Sequence, residues 1–128
     1  GVSDLTRNEM EMMEVFWKEG RPLSRTEIIK CSPKDKSWKD SSVHILLNSL
    51  LKKGAIREAG YVRTGKGYGR TFEPVESSEE FFAQLAAETV RKTSLPLFFS
   101  ALFENEDISK ETLEELETLI EEKKRKSE

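Results

Sequence analysis

Apolar residues recur along this chain first with a helical period, then with a strand period, then with a helical period again. Met10, Met13, Phe16 and Trp17 fall three and four apart and share one face of a first helix. Its start is Thr6-Arg7-Asn8-Glu9, a capping box in which the hydroxyl and the carboxylate each accept the other residue's backbone N–H. Leu5 and Met10 stand at the staple positions, and Gly20-Arg21-Pro22 stops the helix. Ser24-Arg25-Thr26-Glu27 repeats the box and opens a short helix with Ile28 and Ile29. Ser32-Pro33 ends it, because the residue before a proline disfavours the helical region. Val43, Leu46, Leu47, Leu50 and Leu51 form one stripe of a third helix. Asp40 is its expected N-cap, Lys52 and Lys53 suit the dipole of its last turn, and Gly54 supplies a left-handed stop.

Past Gly54 the period shortens. Ile56 to Val62 and Arg70 to Val75 read as two strands. Between them Arg63 to Gly69 holds three glycines and two basic residues, which predicts a flexible, positively charged hairpin tip. Pro74 closes the unit. Ser77-Ser78-Glu79-Glu80 is a third capping box and leads into a helix with Phe81, Phe82, Leu85, Ala86 and Val90. Ser94-Leu95-Pro96 starts another, apolar on most sides through Leu97, Phe98, Phe99, Ala101, Leu102 and Phe103, and Asn105-Glu106-Asp107 breaks it. A last helix begins at Ser109, with Leu113, Leu116, Leu119 and Ile120 as its stripe and Lys123 to Glu128 expected to fray. Three helices followed by a hairpin is the order of a winged helix-turn-helix. The pattern therefore predicts a mainly α fold with a small β-hairpin wing: a winged-helix domain over 1–75, then a helical dimerisation domain over 76–128.

Charge assigns that division a function. The chain of 128 residues is acidic overall, at −3. Between Arg21 and Phe72, however, 12 Lys and Arg stand against 4 Asp and Glu, while from Glu76 onward 7 stand against 14. The first half suits a polyanion, and the second would be repelled by one. Other chemistry is poorly supplied. With one His and one Cys there is no HExxH motif, no paired CxxC and no multi-histidine metal site, so neither an enzyme nor a cofactor is expected. Gly65 to Arg70 lacks the GxxxxGK[ST] pattern of a phosphate loop and joins two strands. The lone Cys31 predicts a packed residue in a reducing, cytoplasmic compartment. The absence of any apolar run near 18 residues predicts no membrane insertion. The opening Gly1-Val2-Ser3-Asp4 does not read as a secretory signal.

The solvent face of the third helix carries Ser41, Ser42, His44, Ile45, Asn48 and Ser49, side chains short enough to let a helix settle into a major groove about 12 Å wide. Asn48 suits an adenine edge, His44 a guanine, and Ile45 a thymine methyl. Arg25, Lys39, Lys52 and Lys53 flank the helix as candidate phosphate contacts, with Lys66 and Arg70 on the wing. Ser41 and Ser42 are equally suited to helix-start chemistry, and Lys52 and Lys53 to the dipole. Phe81, Phe82, Leu85, Leu97, Phe98, Leu102, Leu113, Leu116 and Leu119 are the expected dimerisation residues, since three short helices close a core poorly without a partner copy. The expected partners are a double-stranded DNA operator and a second copy of the chain. A winged-helix module that binds protein and no DNA is the alternative, because the fold serves both uses.

Trp38 to Gly54 resembles the recognition-helix signature of the penicillinase-repressor (BlaI/MecI/CopY) family. Leu5-Thr6 through Glu9, Met13 and Trp17 resemble that family's first helix, Gly69 to Pro74 its second wing strand, and Ile108 to Glu111 with Leu113 and Leu116 its last helix. The resemblance implies a bacterial homodimeric repressor that binds a dyad operator through the winged helix and blocks a promoter. By position Ser41, Ser42, His44 and Ile45 match the family's base-reading face, and Arg70 its wing. Copper-sensing members carry a cysteine-rich C-terminal motif, whereas no cysteine follows Cys31 here. The β-lactam-responsive members are cut by a regulatory protease at an Asn-Phe bond, where this chain has Ala101-Leu102.

Overall fold

The structure, a computed structural model, describes residues 4–128; Gly1-Val2-Ser3, part of the opening that does not read as a secretory signal, lies outside the described residues. The chain forms two compact units that divide between Ala87 and Glu88.

In the first unit, helix α1 (Arg7–Glu19) is capped by the Thr6–Glu9 box and ends at Gly20, whose φ is 68°. Strand β1 (Leu23–Ser24) leads into α2 (Arg25–Cys31), capped by the Ser24–Glu27 box. A single 3-10 turn, Asp40–Ser42, precedes α3 (Val43–Lys52). The wing is β2 (Ile56–Thr64) and β3 (Gly67–Pro74). The sheet runs β1-β3-β2 and is antiparallel throughout, with Leu23 paired to Phe72 and Ile56 to Pro74. A bulge lies between Glu58 and Gly60, and the φ of 137° at Gly60 is one that L side chains rarely adopt.

The core joins Met12, Met13, Val15 and Phe16 of α1 to Ile28 of α2, Val43, Leu47 and Leu50 of α3, and Leu23, Ile56 and Phe72 of the sheet. Trp38 seals it from the α2–α3 connection. Several expectations change. The buried stripe of α1 contains Met12 and Val15, while Met10 and Trp17 are only half-buried. Asp40 does not cap α3; its carboxylate pairs with the Lys36 ammonium at 3.0 Å. The long flexible tip is replaced by a two-residue turn, Gly65-Lys66, because the strands pair out to Thr64 and Gly67.

Helix α4 (Ser78–Val90) starts with the expected Ser77–Glu80 box. Its first turn belongs to the winged-helix unit. Phe81 is 3 % exposed, its ring lies 5.2 Å from that of Trp17, and the Trp17 indole N–H donates to the Glu76 carbonyl at 3.0 Å. The compact winged-helix unit thus runs past Val75, the end expected from the hydrophobic pattern.

The second unit holds the end of α4, then α5 (Leu95–Asn105), capped by Ser94, and α6 (Lys110–Lys126), capped by Ser109. Helix α6 continues to Lys126 where fraying was expected from Lys123, with four basic residues in the dipole-favoured last turn. Neither α5 nor α6 contains a buried residue.

Candidate nucleic-acid interface

The exposed face of α3 begins where its apolar stripe ends. Val43, Leu47 and Leu50 point into the core, which turns His44, Ile45 and Asn48 outward, Ile45 to 60 % exposure. Ser41 is exposed and Ser42 half-buried in the 3-10 turn before the helix. Ser49 leaves this face. Its hydroxyl donates to the Glu9 carboxylate, and the side chain is half-buried.

Three elements meet around one concavity of about 240 Å³. The β1–α2 junction contributes Ser24, Arg25 and Thr26, α3 contributes His44, Leu47 and Asn48, and the wing contributes Thr64, Gly69, Arg70 and Phe72. Four of the residues proposed from sequence, Arg25, His44, Asn48 and Arg70, are therefore neighbours around one depression. Thr26 and Thr64 were not anticipated. Each is a small polar residue, and only the folding of the wing against α2 brings them to the same place. Lys39 is exposed before the 3-10 turn, Lys52 in the last turn of α3, and Lys66 at the hairpin turn; all three lie around the concavity's lining residues in sequence but do not line it.

The cations differ in how they are held. The Arg70 guanidinium donates to the Glu58 carboxylate and stands 5.3 Å over the Phe72 ring. Lys53, a flanking candidate from sequence, is taken up by Glu9: its ammonium donates to that carboxylate at 2.6 Å and to the Asp4 carbonyl at 2.9 Å. Glu9 is 2 % exposed. Burial pushes its carboxyl up, but hydrogen bonds from Lys53, Ser49 and Thr6 outweigh this and hold it down to about 2. This cluster ties the start of α1 to the end of α3 and so fixes the helix that carries His44 and Asn48. Cys31 sits elsewhere, half-buried, with its thiol pushed up by burial and by the nearby Glu19, the opposite of an activated thiolate.

The expected dimerisation residues divide between the units. Phe81 is a core residue of the first unit, packed on Trp17, and is not available to an outer face. Phe82 is exposed and Leu85 half-buried on α4. In the second unit Leu97 is 65 % and Leu119 59 % exposed, Leu102 is also exposed, and Phe98, Leu113 and Leu116 are half-buried.

Residues 5–122 match the family described as penicillinase repressor. The penicillinase repressor of Bacillus licheniformis is 29 % identical over 129 residues, a match that covers 96 % of this chain and 94 % of that protein. A 16.5 kDa protein of Latilactobacillus sakei is 34 % identical over 56 residues, 44 % of this chain and 38 % of its own length. Among solved structures, the adhesin competence repressor of Streptococcus pyogenes superposes with a TM-score of 0.41 at 14 % identity, covering 96 % of this chain and 80 % of that one.

Proposed function

The chain belongs to the penicillinase repressor family, and from that premise we propose that this winged-helix transcriptional repressor acts as a cytoplasmic homodimer, blocking a promoter by binding a dyad operator. The observation that carries the reading is the convergence of Arg25, His44, Asn48 and Arg70 on one concavity beside an exposed, sterically slim helix. His44, Ile45 and Asn48 read base edges from α3, with Ser41 and Ser42 at its entry. Arg25, Lys39, Lys52, Lys66 and Arg70 set the register on phosphates. Arg70 is already paired with Glu58 and exchanges that carboxylate for a phosphate on binding. Its net contribution therefore falls below that of Arg25, which has no carboxylate partner among the described residues. Two copies would present their helices to successive major grooves roughly 34 Å apart.

The second copy is supported by the helices after Ala87. Leu97, Leu102 and Phe103 of the strongly apolar α5, and Leu119 and Ile120 of the mostly charged α6, are exposed. Exposed apolar surface of this kind marks an interaction face, and a symmetric copy covers it with the same residues on both sides. No helix among the described residues is long and apolar enough to cross a membrane.

A mobility-shift titration of the full chain on the DNA upstream of its own gene tests the reading. Retardation at about 50 mM salt that weakens steeply as salt rises is expected; no retardation would favour a protein-binding module. Light scattering should give twice the chain mass of 14.7 kDa at micromolar concentration. Leu119→Asp with Ile120→Asp should shift that mass towards the monomer. A monomeric wild type would end the dimer assignment.

A further inference from the structure

The wing carries its bulk on one side. Tyr61 stands opposite Arg70 and Arg63 opposite Tyr68 across the hairpin. Directly opposed residues share a face, as do alternate residues of one strand, so all four side chains project together. The other face holds Val62, Thr64, Gly67 and Gly69. That face is kept bare at Gly69, where a Cβ would meet the Thr64 methyl at 3.2 Å. The two tyrosines are 72 % and 74 % exposed, more than any other large apolar side chain of the molecule among the described residues, so the core has no use for them. Arg63 and the adjacent turn residue Lys66 have no carboxylate partner among the described residues. Both faces border the site already described: Arg70 of this face lines the concavity beside His44 and Asn48, as do Thr64 and Gly69 of the other.

We propose that Tyr61 and Tyr68, alternating with Arg63 and Arg70, supply the salt-insensitive part of the wing's hold on the duplex backbone next to the segment facing α3. The inference rests on the DNA-binding reading above and deepens it. A tyrosine joins an amphipathic ring to a hydroxyl donor at low entropic cost. It can lay its ring on a sugar and donate to a phosphate oxygen without neutralising the charge. Only contacts that neutralise a phosphate release counterions. The tyrosines therefore supply binding that persists as salt rises, while the arginines supply the part that salt removes. The unpaired cations favour a polyanion over an apolar protein partner for this face. Backbone contacts carry no base information, so the effect is the same for every sequence.

The probe is a 30-base-pair duplex of mixed sequence, titrated with the full chain by fluorescence anisotropy across a salt series from about 50 mM. Tyr61→Ala with Tyr68→Ala should weaken binding roughly tenfold, with the slope of log affinity against log salt unchanged. Tyr61→Phe with Tyr68→Phe should lose part of that, isolating the hydroxyls. Arg63→Ala should instead lower the slope by about 0.9 for each copy that contacts the duplex, about 1.8 for the dimer. The four positions are exposed, and unaltered thermal melts should accompany each variant. If the alanine pair binds within about twofold of the wild type, or changes the slope as Arg63→Ala does, this inference is overturned alone. If the wild type fails to bind the duplex at the lowest salt, the DNA-binding reading falls and takes the inference with it.

Discussion

Replacing Glu9 by alanine should destabilise the winged-helix unit by about 3 kcal/mol, a large part of the 5–15 kcal/mol typical of a small domain. Loss of the cap alone would cost about 1 kcal/mol. The larger share comes from what the carboxylate leaves behind. The Ser49 hydroxyl and the Thr6 N–H lose their acceptor, and the Lys53 ammonium loses its counter-charge. Lys53 is 28 % exposed and can turn to water, which keeps the cost near the lower end for a broken buried pair. The pH dependence isolates the charge. The carboxyl is held at about 2, below its ordinary 4.5, so its ionised form stabilises the fold at neutral pH. That contribution is fully present above about pH 4.5 and is lost as pH falls from there towards 2. Urea midpoints should show wild type well above Glu9→Gln at pH 7 and the two converging between pH 5 and pH 2. A constant gap across that range would mean that the ion pair contributes nothing. Lys53→Met should lose stability as well, yet leave the salt slope of DNA binding unchanged, since its ammonium is committed to Glu9.

That cluster marks where local reading of the sequence stops. Thr6 and Glu9 are three residues apart, and their reciprocal bonds follow from helix-start chemistry alone. The same holds for Ser24–Glu27 and Ser77–Glu80, and the stripe of α3 needs only a period of 3.6. Ser49 and Lys53 reach Glu9 across 40 and 44 residues, and no local pattern signals such a bond. By periodicity alone Ser49 therefore falls on the outer face and Lys53 among the phosphate ligands. Strand β1 has two residues, too few for any period, and is defined only by its pairing with β3. The wing differs for another reason. Its glycines suggest a loose tip, but Gly60 accommodates a bulge, Gly69 avoids a clash with Thr64, and only Gly65-Lys66 turns the chain. Alternation across the hairpin, once the register is known, puts Tyr61 and Tyr68 on the arginine face; that register depends on the bulge, which has no signature in the alternation itself.

Changing His44 and Asn48 together to alanine should reduce affinity for the cognate operator by about a hundredfold or more, and affinity for a mixed duplex by no more than about threefold. A well-aligned base-edge contact is worth about 1–3 kcal/mol, and the two residues lie one turn apart on the exposed face of α3. In a homodimer each substitution acts at both half-sites, so the loss compounds. Neither side chain belongs to the core, and neither has a role in capping α3, so melting should be unaffected. The operator can be obtained by selecting tight-binding duplexes from a random pool with the wild-type chain. Competition titrations of wild type and double variant on that duplex and on a mixed one then give the specificity ratio directly. If cognate and mixed affinities fall in parallel, His44 and Asn48 contact backbone, and base reading passes to Ile45 with Ser41 and Ser42. If only the cognate affinity collapses, α3 is the reading element and the cations around the concavity hold it in register. Arg25→Ala provides the contrast: it should weaken both duplexes alike and lower the salt slope by about 1.8, about 0.9 for each of the two copies, because a phosphate contact is blind to sequence.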